Sequence, residues 1–115
     1  MTIISLYGIP NCDTIKKARH FLDTKNIDYN FHDYKKLGIA EEKLKRWCKV
    51  FGYENVFNRR GTTWRKLSEK IKDSMDEKQA IKIMQEQPSI IKRPILESGD
   101  TLLLGFDQSE YESLL

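Results

Sequence analysis

The sequence predicts an α/β fold in which helices cover a four-stranded mixed sheet. Three observations support this prediction. The chain begins with a strand–helix–strand pattern, continues through a middle stretch of helical periodicity, and ends with a β-hairpin and a short helix. Since domains commonly hold roughly 100–150 residues, a chain of 115 residues predicts a single domain over residues 1–115.

The N-terminal part of the chain reads as a β-α-β unit. Residues 2–7 form a nearly continuous apolar run, typical of a buried strand, and Gly8 and Pro10 then break it. A helix is predicted from about residue 13 to 25, because its apolar side chains recur on one face. Residues 28–34 alternate polar and aromatic side chains and predict a second strand. A right-handed crossover would make the two strands parallel.

The middle of the chain, from about residue 38 to 88, is predicted to be a helical insertion. Its clearest helix has apolar residues at i, i+3, i+4 and i+7, and Gly52 is the expected C-cap. The apolar positions of that helix are Leu44, Trp47, Cys48 and Phe51. Ser74 and Glu77 have capping-box spacing and predict the start of another helix, which ends before Pro88.

The C-terminal part predicts two strands and a helix. Residues 94–97 and 101–104 flank Ser98-Gly99-Asp100, which indicates a β-hairpin. Residues 107–110 repeat the capping-box spacing and start a final helix. The whole order, β-α-β, helical insertion, β-β-α, is the thioredoxin-like pattern with an insertion between its halves.

Composition excludes several classes of protein. Apolar residues make up 39% of the chain and the net charge is +3, so neither disorder nor nucleic-acid binding is indicated. We find neither a membrane-spanning apolar run nor a secretory signal, and we therefore expect a cytoplasmic protein. With two cysteines and no histidines at ligand spacing, neither a zinc site nor a disulfide framework is predicted.

The two cysteines occupy different positions. Cys12 lies at the start of the first predicted helix, where unpaired N–H groups and the helix dipole favour a thiolate. Lys16 would add positive charge, whereas Asp13 would oppose a second anion unless it caps the helix. Position alone leaves two interpretations of Cys12 open, a nucleophile or a small loop residue. Cys48 lies in the apolar stripe of its helix, which predicts core packing.

Two arginine-containing segments are candidates for an anion site. Residues 58–67 carry Arg59, Arg60 and Arg65 around Gly61, and Thr63 is a potential cap of a short helix. A basic solvated loop is the alternative interpretation. The second segment is Lys92-Arg93-Pro94. A thioredoxin-like domain has a cis proline at this point, facing the nucleophile, and Arg93 would then approach Cys12.

Three separated motifs make the sequence similar to the ArsC/Spx family, most of all to the YffB subfamily of ArsC-like reductases. They are residues 7–18 (YGIPNCDTIKKA), 60–67 (RGTTWRKL) and 91–96 (IKRPIL). The resemblance extends over essentially the whole chain. It implies a thioredoxin-like domain with a helical insertion and a thiol-dependent reductase whose nucleophile aligns with Cys12.

The resemblance also implies site residues. We predict three catalytic residues, Cys12, Arg60 and Arg93. We predict five substrate-binding residues, Asn11, Asp13, Thr14, Lys16 and Pro94. In the glutathione-linked arsenate reductases, arginines bind the oxyanion on the cysteine, and the resemblance matches two of them to Arg60 and Arg93. A third arginine follows the glycine that ends the last strand, where this chain has Phe106, and a small residue stands where this chain has Asp13. Both departures disfavour an oxyanion substrate.

The predicted function is that of a glutathione-dependent thiol reductase acting through a single nucleophilic cysteine. Glutathione is the expected co-substrate, with no bound cofactor or metal. Glutathione or a glutaredoxin-like protein would be the partner, and the substrate a small disulfide or thiol-reactive molecule. We expect a monomer that binds neither nucleic acid nor membrane. The alternatives are an authentic arsenate reductase and a non-enzymatic, Spx-like regulator that binds RNA polymerase, although Ile15 replaces the second cysteine of the typical Spx switch.

Overall fold

The computed structural model describes residues 3–59 and 61–114. The first half holds β1 (Ile4–Gly8), α1 (Asp13–Thr24), β2 (Asn30–Asp33), α2 (Tyr34–Leu37), α3 (Glu41–Phe51) and α4 (Tyr53–Val56). The second half holds α5 (Thr62–Arg65), α6 (Glu69–Asp73), α7 (Glu77–Glu86), a 3₁₀ turn (Pro88–Ile90), β3 (Ile95–Ser98), β4 (Thr101–Leu104) and α8 (Gln108–Glu112). The described residues form two compact units, one within 1–37 and 93–115 and the other within 38–92.

The first unit contains the sheet, whose strand order is β2-β1-β3-β4. β1 pairs with β2 in parallel, whereas the β1–β3 and β3–β4 pairs are antiparallel. Leu6 lies opposite Leu96, and Gly8 lies opposite Asp33. The predicted four-stranded mixed sheet is therefore confirmed, including the parallel crossover of the β-α-β unit.

One face of this sheet packs against α1 and α8. Its core consists of apolar side chains that are less than a tenth exposed. They are Leu6, Ala18, Phe21, Leu22, Leu96, Leu103 and Tyr111. Burying a leucine or phenylalanine completely contributes roughly 1.5–3 kcal/mol, so this cluster supplies much of the driving force for the unit. The predicted apolar face of α1 is confirmed.

The end of the second strand differs from the prediction. The strand stops at Asp33, and Tyr34, which the sequence placed in it, begins α2 instead. The Asp33 carboxylate accepts hydrogen bonds from the N–H groups of Lys35 at 3.1 Å and Lys36 at 3.3 Å. An aspartate bonding the backbone two and three residues ahead favours a turn over continued strand pairing. Thr2, the start of the predicted first strand, lies outside the described residues.

The second unit is helical, and the long helix predicted in it is confirmed. Leu44, Trp47 and Cys48 form the buried face of α3. The helix ends at Gly52, whose φ of 84° lies in the region that favours glycine.

Two helix caps in this unit differ from the prediction. α7 is capped by the Asp76 carboxylate, which accepts from the Gln79 N–H at 2.8 Å. Ser74 instead is the C-cap of α6, and its hydroxyl donates to the Lys70 carbonyl at 2.9 Å. Gly61 is the N-cap of α5. Thr63 lies inside that helix, where its hydroxyl is 3.0 Å from the Ser89 hydroxyl.

Within the described residues, no helix combines the length and the apolar character needed to cross a membrane. The same residues bring together no cluster of three or more His, Cys, Asp or Glu side chains able to hold a metal ion.

Candidate active site

Cys12 is the residue that opens α1. It follows the loop after β1, has extended backbone angles (φ −125°, ψ 131°) and is the N-cap, so α1 begins at Asp13. The Cys12 carbonyl accepts the Lys16 N–H at 3.0 Å, the first bond of the helix. The side chain is half-buried. The N-cap of α1 is therefore Cys12, and Asp13 is the first residue of the helix.

Arg93 lies directly before Pro94, far from Cys12 in the sequence, and its side chain extends to the Cys12 sulfur. The peptide bond between Arg93 and Pro94 is cis, as predicted. The Pro94 carbonyl accepts the Gly105 N–H at 2.8 Å, which ties the turn to the end of β4. The Arg93 guanidinium donates a hydrogen bond to the Cys12 sulfur. The predicted approach of Arg93 to Cys12 is thus confirmed.

The surroundings of Cys12 favour its thiolate. Partial burial by itself raises the pKa of Cys12, but the backbone N–H groups of Ile15 and Thr14 and the Arg93 guanidinium lower it by more, so the net pKa lies below the ordinary value. Such N–H groups and a guanidinium stabilise a thiolate, since they provide hydrogen bonds and positive charge. Lys16, the cation expected from the sequence, is not among the groups with the largest effect on the pKa of Cys12.

Tyr34 completes the arrangement. It is fully buried at the start of α2 and is hydrogen-bonded to Arg93. An arginine side chain only donates hydrogen bonds, so the tyrosine oxygen accepts. Burial is the main cause that raises the pKa of Tyr34 to about 12, so its hydroxyl is protonated at physiological pH. Sequence reasoning missed Tyr34, because its aromatic ring matched the strand pattern.

Gly8 is the second residue that sequence reasoning missed. A Cβ built on Gly8 would lie inside the van der Waals radius of the Ile15 side chain and 3.7 Å from the Arg93 Cβ. The end of β1 therefore passes between the first turn of α1 and the segment before the cis proline. Any side chain at this position would force Ile15 to shift, which favours glycine here.

The other predicted site residues lie around the start of α1. Asn11, Asp13 and Lys16 are exposed, and Thr14 is half-buried. Pro94, by contrast, is buried. Arg60 lies outside the described residues.

Phe106, which the sequence marked as a departure from the arsenate reductases, belongs to an aromatic cluster. Its ring centroid lies 4.8 Å from that of Tyr111 and 6.1 Å from that of Phe21. Both partners are core residues of the sheet unit. The side chain at this position therefore stabilises packing and supplies no positive charge.

Cys48 has a different environment from Cys12. Only 3% of its surface is exposed, and burial, followed by the charge of Glu77, raises its pKa to about 11. The prediction that Cys48 packs in the core is confirmed. A buried thiol with so high a pKa is not a nucleophile at neutral pH.

Comparison with known proteins identifies similar sequences and structures along the whole chain. The model of the ArsC family matches residues 7–114. An uncharacterised protein of Haemophilus influenzae is 40% identical over 111 residues, which covers 96% of this chain and 97% of the relative. The solved structure of a YffB protein has a TM-score of 0.92 and 52% identity, covering 96% of both chains. An arsenate reductase (ArsC) related protein from Brucella melitensis has a TM-score of 0.77 and 47% identity, over 96% of this chain and 92% of that one.

Two more distant similarities bear on fold and function. The global transcriptional regulator Spx of Listeria innocua is 24% identical over 115 residues, 98% of this chain and 87% of the regulator. A glutaredoxin from Archaeoglobus fulgidus shares the fold at 19% identity, with a TM-score of 0.50 over 99% of this chain and 86% of that one. The predicted thioredoxin-like fold is confirmed.

Proposed function

The chain belongs to the ArsC family, and from this premise and the geometry at Cys12 we propose that it is a thiol-dependent reductase that acts through one nucleophilic cysteine and takes its electrons from glutathione. The observation that carries the proposal is the hydrogen bond from the Arg93 guanidinium to the half-buried Cys12 sulfur at the start of α1. A thiolate stabilised in this way is the reacting form in thiol–disulfide exchange.

An external thiol is required because the chain's second cysteine does not qualify as a resolving group. Cys48 is almost completely buried and its pKa is raised to about 11. The position three residues after Cys12 holds Ile15, which is fully buried. Glutathione is the abundant small thiol of the cytosol, which makes it the natural second sulfur.

The proposed reaction with a disulfide substrate has three exchange steps. The Cys12 thiolate attacks one substrate sulfur, the substrate S–S bond breaks, and the first half leaves as a thiolate that takes a proton from solvent. A glutathione thiolate then attacks Cys12, which releases the second half and leaves Cys12 joined to glutathione. A second glutathione attacks this mixed disulfide, so oxidised glutathione leaves and Cys12 is a thiolate again. The substrate gains two electrons and two glutathiones lose them.

The charged and polar groups predicted around Cys12 have roles in this scheme. Arg93 stabilises the thiolate as nucleophile and as leaving group, because it hydrogen-bonds the Cys12 sulfur. As the family resemblance implies, Arg60 and Arg93 would hold substrate charge or a glutathione carboxylate. The residues proposed to contact the substrate are Asn11, Asp13, Thr14, Lys16 and Pro94.

The test combines a titration with a turnover assay. Thiolate absorbance against pH should place the Cys12 pKa below the ordinary thiol value of about 8.5. Glutathione-dependent reduction of a mixed disulfide should be lost in Cys12→Ser and retained in Cys48→Ser, the matched control. An ordinary Cys12 pKa together with unchanged activity in Cys12→Ser would overturn the proposal.

Arsenate reduction is the second candidate, favoured by the family and by the arsenate reductase related protein of Brucella melitensis. Phe106 argues against it, because an aromatic cluster occupies the place of a cation. Phe106→Arg tests this argument, with Phe106→Leu as a control for lost packing. If the wild type reduces arsenate well and Phe106→Arg does not improve it beyond Phe106→Leu, the argument from the missing cation is wrong.

A regulator like Spx is the third candidate, favoured by the similarity over 98% of the chain. The buried Ile15 argues against a switch built from two nearby cysteines. The test is capture of RNA polymerase from a cell extract by the tagged protein, with Cys12→Ser in parallel. Capture of polymerase, together with an absence of thiol turnover, would favour the regulator over the reductase.

A further inference from the structure

Tyr34 has a defined position beside the site. It is the first residue of α2, directly after β2, and it is completely buried. The Asp33 carboxylate accepts the N–H groups of Lys35 and Lys36, which fixes the turn that contains Tyr34. Asp33 in turn lies opposite Gly8 in the sheet. The backbone on both sides of Tyr34 is therefore held in place.

Gly8 is also where Arg93 passes. The Arg93 Cβ lies 3.7 Å from the position of a Cβ on Gly8, so Arg93 and Tyr34 converge on the same end of β1. The Arg93 guanidinium hydrogen-bonds both the Tyr34 oxygen and the Cys12 sulfur. One guanidinium thus spans from a buried tyrosine to the reactive thiol, with its rigid planar donors directed at both.

Tyr34 is not suited to move a proton. Burial, as the main cause, raises its pKa to about 12, and the neighbouring Cys12 thiolate acts in the same direction. The hydroxyl is therefore neutral and accepts the hydrogen bond of Arg93. A neutral acceptor adds no charge near the thiolate, so its effect on Cys12 comes through the placement of the guanidinium.

We propose that Tyr34 is a positioning residue that holds the Arg93 guanidinium against the Cys12 thiolate and so maintains the reactivity of this thiol. Without the tyrosine oxygen, the Arg93 guanidinium loses one of its hydrogen-bond partners, is less constrained in position and stabilises the thiolate less. The consequence for turnover rests on the proposed thiol chemistry, whereas the consequence for the Cys12 pKa does not.

The experiment uses Tyr34→Phe, which keeps the ring and removes the oxygen. Because Arg93 would be less well placed, we expect the Cys12 pKa to rise by up to about one unit, as loss of part of an opposite charge does. The thiolate fraction below the pKa would then fall up to about tenfold, and alkylation by iodoacetamide up to about threefold, since nucleophilicity rises with pKa and offsets about half of the loss. Tyr111→Phe is the matched control, because Tyr111 is also completely buried but lies in α8.

A double-mutant cycle separates positioning from a general structural effect. If Tyr34 acts through Arg93, Tyr34→Phe shifts the Cys12 pKa in the wild type and not in an Arg93→Met background. A reciprocal measurement does not depend on the folding of Tyr34→Phe. The ring resonances of Tyr34 should shift in Arg93→Met and not in Lys16→Met, whose side chain is exposed.

The outcomes distinguish this inference from the proposed function. A wild-type Cys12 pKa in Tyr34→Phe, or an equal shift in Tyr111→Phe or in the Arg93→Met background, would overturn the positioning role. A raised pKa in Tyr34→Phe, in a protein that shows no glutathione-dependent turnover, would support the positioning role and refute the reductase. Unchanged glutathione-dependent turnover in Tyr34→Phe, together with an unchanged Cys12 pKa, would refute the positioning role and support the reductase.

Discussion

Gly8→Ala is a sharp test of how the site is built. The added methyl group would overlap the Ile15 side chain, with its Cγ1 only 2.9 Å away, and lie 3.7 Å from the Arg93 Cβ. Ile15 is completely buried, so its side chain would have to shift within the packed core. The backbone of Gly8 lies outside the left-handed region, so the cost comes from this overlap and not from the φ angle.

The magnitude follows from two opposing contributions. Forcing an extra methyl group into a packed core costs about 1–3 kcal/mol. Replacing glycine by alanine restricts the unfolded chain, which returns about 0.4–1 kcal/mol. We therefore expect the free energy of unfolding to fall by about 1–2 kcal/mol. Because the Ile15 N–H stabilises the Cys12 thiolate, displacement of Ile15 should also raise the pKa of Cys12.

Urea unfolding and the pH dependence of thiolate absorbance measure the two effects. Ile15→Val is the compensating variant, since valine lacks the Cδ1 atom that the new methyl group would overlap most closely. On its own, Ile15→Val should cost about 0.5–1.5 kcal/mol, as such truncations do. In combination with Gly8→Ala, Ile15→Val should cost less than it does alone, or should restore part of the stability that Gly8→Ala loses. A Gly8→Ala protein with wild-type stability and a wild-type Cys12 pKa would refute this account of the site.

Two further predictions follow from the described environments. Iodoacetamide at neutral pH should modify one thiol per chain, Cys12, and should modify Cys48 only after unfolding. Because the thiolate is the nucleophile, the rate of modification at Cys12 should fall as the pH falls through its lowered pKa. Equal labelling of both thiols in the native protein would contradict this prediction. The Tyr111 hydroxyl is buried and has no hydrogen-bond partner among the described residues. Tyr111→Phe should therefore leave the free energy of unfolding unchanged or raise it by up to about 1 kcal/mol. A clear loss of stability in a urea titration would show that the hydroxyl is bonded.

The sheet and the main helices could be predicted from the sequence because each carries a strong periodic signal. The apolar faces of α1 and α3, the hairpin of β3 and β4, and the glycine after α3 all lie where the pattern placed them. Element ends were less predictable, since they depend on which of several polar side chains bonds the backbone. Ser74 and Asp76 were both suited to cap α7, and in the structure Asp76 caps α7 whereas Ser74 ends the preceding helix.

The candidate site could be predicted in part. Cys12 is found from its place between a strand and a helix, and Arg93 from the proline that follows it. Tyr34 and Gly8 have no local signal, because their importance arises from contacts between segments far apart in the sequence. Gly8 matters only because Ile15 and Arg93 both lie against it. The roles of the site residues, the number of domains, the use of glutathione and the monomeric state stay predictions.

The charge around Cys12 gives a last argument on the substrate. The Arg93 guanidinium hydrogen-bonds the Cys12 sulfur and the buried Tyr34 oxygen, so part of its donor set is already used by groups of the protein. A tetrahedral oxyanion on Cys12 would need several donors and positive charge, and Phe106 supplies neither, because its ring packs against Tyr111 and Phe21. A disulfide substrate requires fewer donors, since the negative charge in each exchange step stays on sulfur and Arg93 already lies at the Cys12 sulfur. The arrangement in this unit therefore suits a reaction that begins and ends with a thiolate better than one that must hold a dianion.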